Sequence, residues 1–452
     1  MSDAVLLDGC AVATMDDAGA EHAEGWILVE GARIAALGAG APPAADGAWR
    51  IDARGHLATP GLVNCHHHLS QWATRGLAQD EGLFGWLETL YPRWARLDEE
   101  AVHEAALAAL GALARSGCST STDHHYLFPS GGGDQLAAAI RAAREIGLRF
   151  HPCRGSMDLG RSDGGLPPDG VVEDRDAILA ATEEAIDRWH DPSPGSMLRV
   201  AVAPCSPFSV TRGLLADSAE LARRRGVRLH THLAETDDEE AFCLERFGVR
   251  PAEYLDELGW LGPDVWLAHC VHLSAPEIAR LARSGTAVAH CPSFNARLGA
   301  GVAPVADLLA AGATVGLGVD GAASNEAGEL SVELRQALLA ARARGGPGAM
   351  TVRGALALGT RHGARCLGRE DEIGSLEPGK LADIALWRLD GVAHAGIEDP
   401  VAALVLGSRP PLKQLLVNGT AVVEDDVLLT ADESQLAADA ARVARRLRSR
   451  VG

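Results

Sequence analysis

The chain has 452 residues, 47% of them hydrophobic and 23% charged, with a formal net charge of −20. That composition excludes a disordered chain, and that charge excludes a general attraction to nucleic acid or to an anionic membrane. No run approaches the ~20 consecutive apolar residues of a membrane-spanning helix, and no basic region precedes the first apolar run.

A cytoplasmic protein with neither nucleic-acid nor membrane partners is therefore expected. The nine cysteines, odd in number and scattered, do not form a disulfide framework. Several sit in apolar runs, where a free thiol packs as a small hydrophobe. Lysine occurs only at Lys380 and Lys413. A Schiff base or a carbamylated lysine bridging two metals thus has no candidate in the first 379 residues.

Residues 3–57 read as short strands (4–7, 25–29 and 33–37) with turns and a proline-containing loop over 40–47. From residue 58 short apolar runs alternate with alanine- and arginine-rich stretches, the texture of repeated βα units. The strands end near Asn64, Asp123, Arg154, Cys205, Thr231, His269, Cys291 and Val319. Helices are expected over 100–116, 133–146, 174–189, 211–225, 237–258, 275–284 and 305–311. Eight such strands predict a closed (β/α)₈ TIM-like barrel, with a doubly wound open sheet as the alternative.

A further helical region follows residue 327 to about 367. The turn-rich stretch 374–380 marks a boundary, and strands are expected at 381–387 and 413–417. Asn418-Gly419 between two apolar runs is the strongest hairpin signal in the chain. The organisation expected is a small β-sandwich domain built from 1–57 and 374–430, a catalytic barrel over 58–373, and a C-terminal helix over 431–452.

The chemistry begins at Pro60-Gly61-Leu62-Val63-Asn64-Cys65-His66-His67-His68. On a strand alternate side chains share a face, so His66 and His68 project together. Downstream, His232 precedes Glu235 by three residues, His269 ends the sixth strand and Asp320 ends the eighth. In a barrel these ends converge on the C-terminal face. His66, His68, His232 and Asp320 then supply three nitrogens and one oxygen, a set suited to Zn²⁺ first and Fe²⁺ second, with a position left open for water.

Two decoys fall away. Gly316–Gly321 matches G-x-G-x-x-G but lies at the last strand of the series with Asp320 inside it. The stretch 374–380 lacks the Ser/Thr that a phosphate loop needs after its lysine.

These motifs, with His232-Leu233-Ala234-Glu235-Thr236, His269-Cys270 and Gly318-Val319-Asp320-Gly321, resemble the metal-dependent amidohydrolase superfamily across nearly the whole chain. They are most similar to its mononuclear nucleobase and s-triazine aminohydrolases. Glu81–Leu87, Tyr91–Trp94 and Arg154–Gly160 look most like the 8-oxoguanine deaminases among them.

The resemblance implies hydrolytic deamination at one divalent metal. In that chemistry Asp320 accepts the water proton, Glu235 protonates a ring nitrogen and then the departing ammonia, and His269 holds the oxygen. The expected substrate is a small heterocycle, 8-oxoguanine first. A hydroxyatrazine-type triazine, isocytosine, guanine or a pterin are alternatives, and a homo-oligomer is expected. A catalytically dead scaffold of the same fold would have lost ligands, and none is missing.

For substrate contacts the sequence offers Gln71, which both donates and accepts, Trp86 within a cluster of aromatics at 84–94, and Arg154 at the third strand end, whose partner is either a substrate carbonyl or a carboxylate of the chain. Ser293-Phe294-Asn295-Ala296 departs from the Ser-Asn-Met type of segment, and a phenylalanine at 294 beside the site is expected to reshape the pocket, while the sequence leaves the effect of Ala296 open.

Overall fold

The structure is a computed structural model that describes residues 4–45 and 47–448. The first five strands are β1 (Ala4–Ala13), β2 (Glu21–Glu30), β3 (Arg33–Ala39), β4 (Trp49–Asp52) and β5 (His56–Pro60). After them come the barrel strands β6 (Leu62–Asn64), β7 (Cys118–His125), β8 (Arg149–Ser156) and β9 (Ala201–Pro204). The barrel continues with β10 (Leu229–Leu233), β11 (Val265–His269), β12 (Ala287–His290) and β13 (Val315–Leu317). The chain then returns to strands at β14 (Ile384–Arg388), β15 (Leu412–Val417), β16 (Thr420–Glu424) and β17 (Val427–Leu428).

β6 to β13 pair in parallel, in chain order, and β13 closes back onto β6, giving the eight-stranded barrel expected from the alternating texture. The remaining nine strands form one mixed sheet, in which the antiparallel pair β5–β14 joins the N- and C-terminal segments. Asn418 and Gly419 both take positive φ (51° and 77°) between β15 and β16, the two-residue hairpin that the sequence signals.

β5 runs into β6 through Gly61, where a Cβ would lie 2.5 Å or less from the Ser119 side chain. Only glycine lets the terminal sheet lead directly into β6, after which the three histidines follow. Arg149, fully buried at the start of β8, pairs with Asp383 (3.1 Å) and ties the barrel to that sheet.

The expected helices appear with shifted ends, with one exception. The stretch expected as a single helix over 237–258 is two helices, Asp237–Phe247 and Pro251–Glu257. Gly248 takes the left-handed conformation that ends the first, and Pro251 starts the second at the position where its missing N–H costs nothing.

The C-terminal helix is Glu433–Arg448, and residues 449–452 lie outside the described residues. Among the described residues no helix is long and apolar enough to cross a membrane.

The barrel interior is filled by small side chains, Val63, Cys65, Cys153, Ala201, Ala203, Ala287 and Ala289, around one large one, Trp266. All nine cysteines are free and buried. Because the lumen is packed rather than open, polar chemistry is confined to the strand ends.

Candidate active site

Four residues around the C-terminal mouth of the barrel bear side chains yet take positive φ: Ala234 (50°), His269 (71°), Cys270 (50°) and Asp320 (61°). Such a conformation costs about 1–3 kcal/mol at each residue and persists only where the surroundings impose it. Here the backbone imposes it: Val271 N–H donates to Ala234 O (2.9 Å), and Asp320 N–H donates to His66 O (3.1 Å). The turns swing His269 and Asp320 inward toward the histidines of β6 and β10.

The tautomers of four imidazoles follow from their partners, three of them the candidate ligands His66, His68 and His232. His68 Nδ1–H donates to His124 O (2.7 Å) and His232 Nδ1–H to Cys205 O (2.6 Å). His230 Nδ1–H donates to Trp266 O (2.8 Å), so its Nε2 must accept from His66 Nδ1–H, also at 2.8 Å. Each of the three candidate ligands is thereby left with an unprotonated Nε2.

The Nε2 atoms of His68 and His232 are 3.1 Å apart with no proton between them, and His66 Nε2 is buried without a hydrogen-bond partner. Burial holds His232 down to about 4, and it keeps His66 and His68 well below the usual imidazole range. Converging lone pairs on neutral rings repel one another unless a cation lies among them.

Asp320 closes the set. Its Oδ1 accepts from Gly321 N–H (2.6 Å) and lies 3.4 Å from His68 Nε2 and 3.7 Å from His66 Nε2. Its Oδ2 has no hydrogen-bond partner, and burial pushes the carboxyl up to about 8. This is a metal-binding site of histidine and aspartate. Candidate ligand atoms of His66, His68, His124 and His232 lie within 4.8 Å of one another, as do those of His66, His269 and Asp320.

Beside the site, Glu235 is buried, and burial, reinforced by the charges of Glu239 and Asp320, raises it well above the usual carboxylate range. Its position is built locally. Thr236 caps the helix Asp237–Phe247, and Glu239 in that first turn reaches back to accept the N–H groups of Ala234 (3.0 Å) and Glu235 (2.9 Å). Glu235 Oε1 then lies 3.7 Å from His269 Nε2, which is itself 3.5 Å from Asp320 Oδ2. His269 Nδ1–H donates to Asn295 Oδ1 (3.2 Å).

A small cavity of about 20 Å³ opens over this cluster, lined by Gln71, Trp86, Tyr91, Phe294, Glu235 and Asp320 among others. Gln71 sits on a short 3₁₀ turn, Leu69–Thr74, and its Oε1 is buried without a partner. A Cβ on Gly321 would fall 1.8 Å from that oxygen, so the glycine after Asp320 admits the amide. Trp86 is fixed by Nε1–H donating to Ala323 O (3.2 Å), and Phe294 packs on His269 with centroids 4.7 Å apart. Ala296 does not line this cavity.

Arg154 is a correction. It does not reach the cavity: its guanidinium forms two bonds to Glu173 (2.8 and 3.0 Å) and lies 3.8 Å over the Phe128 ring. A buried guanidinium at this strand end needed a carboxylate, and Glu173 supplies it.

The sequence reading passed over His124, His230, Glu239 and Asn295. His230 was detectable, since it stands two residues before His232 on one strand just as His66 stands before His68. His124 follows Asp123 at a strand end already marked. Asn295, on the helix Pro292–Arg297, carried no signal.

Comparison with known proteins agrees with this geometry. The model of the amidohydrolase family matches residues 57–422. The chain is 48% identical to 8-oxoguanine deaminase of Pseudomonas aeruginosa, covering 93% of this chain and 94% of that protein. It is 39% identical to an isoxanthopterin deaminase from an unknown prokaryotic organism, over 93% and 91% respectively. Its structure superposes on atrazine chlorohydrolase TrzN from Arthrobacter aurescens TC1, solved in complex with zinc. That match has a TM-score of 0.93 at 36% identity and covers 97% of this chain and 100% of that one.

Proposed function

The chain belongs to the amidohydrolase family, and we propose that it hydrolyses the 2-amino group of 8-oxoguanine, giving urate and ammonia. The observation that carries the hydrolytic reading is the set of three bare, tautomer-fixed Nε2 atoms facing the Asp320 carboxyl, and the choice of substrate rests on the 48% identity to an 8-oxoguanine deaminase. His66, His68, His232 and Asp320 would hold one divalent ion, zinc first and iron second. When bound, the ion lowers the pKa of a water toward ~7 and so supplies a nucleophile at neutral pH.

The chain's own residues then divide the proton work. Asp320, whose carboxylate a cation held beside it would keep ionised, would take the proton of the attacking water on Oδ2, which is free of other partners. His269 Nε2, left as an acceptor by the bond from Nδ1–H to Asn295, holds the remaining O–H. Glu235, whose burial favours its protonated form, gives its proton to a ring nitrogen as the C–O bond forms. It then takes the O–H proton of the tetrahedral adduct and delivers it to the amino group, which leaves as ammonia as the C–N bond breaks. The proton on Asp320 returns to Glu235.

Gln71 pairs with the edge of the base, its unpartnered Oε1 accepting a ring N–H, and the anchored Trp86 ring covers the plane. A cavity of about 20 Å³ is smaller than a bicyclic base. The helix Leu83–Trp94 contributes Leu83, Trp86, Leu87 and Tyr91 to the lining.

The test is ammonia release from the metal-loaded protein across 8-oxoguanine, guanine, isocytosine, cytosine, isoxanthopterin and aminated s-triazines. 8-Oxoguanine is expected to have the highest kcat/KM. The carbonyl and N–H groups of its second ring are absent from a triazine, and a lost polar contact of this kind costs about 10⁴-fold or more. Faster turnover of a triazine or of isocytosine would refute the substrate assignment and leave the hydrolytic chemistry standing.

A further inference from the structure

We propose that the opposite, N-terminal mouth of the barrel holds a second binding site, for a phosphate-type oxyanion. A cavity of about 280 Å³ opens there between the starts of β8, β9 and β10 and the turn after the helix Arg361–Cys366. Its polar side chains are Arg199, Arg228, His151 and His190, and no carboxylate lines it. In a chain of net charge −20 a cavity with only basic side chains is a local inversion of sign.

The arginines nearby exceed the carboxylates that neutralise them. Glu372 accepts from both Arg369 and Arg199, and Asp383 accepts from Arg149. Arg228 has no ion pair among the described residues. The acids nearest to it are Glu370 and Asp264, and Asp264 is engaged by Arg223 at 2.9 Å. The Nε atoms of both Arg228 and Arg199 are buried without a hydrogen-bond partner. The Arg228 side chain makes no hydrogen bond or ion pair among the described residues, so a guanidinium with no acceptor borders this cavity, and such a group calls for an acceptor with several oxygens.

The site is shaped as well as charged. Arg228 lies 5.9 Å from the centroid of the buried Trp266 ring, and a Cβ on Gly368 would come within 3.0 Å of its Nη1. His151 registers the same field. Arg369 Nη1 donates to its Nε2 (3.3 Å), and burial together with the charges of four arginines keeps it well below the usual imidazole range. A neutral ring there leaves the positive charge on the guanidiniums, whose planar forks match tetrahedral oxyanions. The volume exceeds that of inorganic phosphate, so a small phosphate monoester also fits.

Calorimetric titration of the metal-loaded full chain with inorganic phosphate, ribose 5-phosphate and citrate tests this. One phosphate per chain is expected, bound more weakly as salt rises. Affinity should fall about tenfold or more in Arg228→Met and return in part in Arg228→Lys. Deaminase turnover without phosphate should be unchanged in both variants, so failure here is distinct from failure of the catalytic reading.

Tighter binding of ribose 5-phosphate than of phosphate would identify a phosphorylated metabolite as the ligand, and equal binding would identify free phosphate. Three results would overturn the proposal: no binding of either phosphate, binding of citrate alone, or phosphate binding indifferent to Arg228→Met. The last is the behaviour of an anion held at the metal centre.

Discussion

Replacing His230 with leucine separates the metal site from the barrel that positions it. His230 touches no substrate. It accepts from His66 Nδ1–H and donates to Trp266 O, both at 2.8 Å, and stacks on the Trp266 ring at 4.4 Å. Leucine keeps the packing but orphans a buried N–H and a buried carbonyl, each costing about 1–3 kcal/mol. The apo-protein should therefore melt at a lower temperature.

The second effect is specific to the site. Without its acceptor, His66 no longer has Nδ1 fixed as the protonated nitrogen, and its Nε2 is no longer held bare toward the metal. Loss of such an outer partner weakens metal binding by about 10–100-fold. Chelator competition measures that affinity, and thermal unfolding of the apo-protein measures the structural cost separately. His230→Gln should recover much of the affinity, because one amide can both accept from His66 and donate to Trp266. A leucine variant that melts early yet binds metal as tightly as the parent would refute the tautomer argument.

Other expectations follow from the same geometry. Elemental analysis of purified protein should give about one zinc or iron per chain, and exhaustive chelation should abolish turnover until a divalent metal is restored. Glu235→Gln should keep the metal and lose about 10²-fold or more in kcat, measured as ammonia release. Arg154→Met should leave KM unchanged and lower stability by about 1–3 kcal/mol, seen in denaturant unfolding, because its partner is Glu173 rather than substrate. Cys205→Ala should be mild in both metal content and turnover, since His232 is held chiefly by the Cys205 backbone carbonyl (2.6 Å), with the thiol a distant second contact (3.9 Å). Burial raises that thiol to about 12, so it should react slowly with a thiol reagent.

What could be read from the chain is what a strand forces into order. An apolar run that ends in a polar residue marks both a barrel strand and its catalytic end, and so His66, His68, His232, His269 and Asp320 were visible together. What could not be read is whatever depends on a partner far along the chain. Arg154 at a strand end looks the same whether a substrate carbonyl or Glu173, nineteen residues on, will satisfy it. Asn295 gains its role only because the barrel brings the short helix Pro292–Arg297 against His269.

The aromatic stretch sharpens the point. The spacing that marks Leu83, Trp86, Leu87, Leu90 and Trp94 as the buried face of a helix is correct, for all five are buried. Yet Leu83, Trp86 and Leu87 line the cavity as well, while Leu90 and Trp94 do not. Core and substrate pocket thus share one helix face, and periodicity reports only that the face is turned inward. Gln71 and Asp320 line the same cavity, and Gly321 admits the Gln71 amide to it. Substrate choice in this fold is accordingly written in the few residues that set that space, and substitutions at Phe294 or Trp86 should alter which heterocycle is accepted well before they alter the metal chemistry beneath.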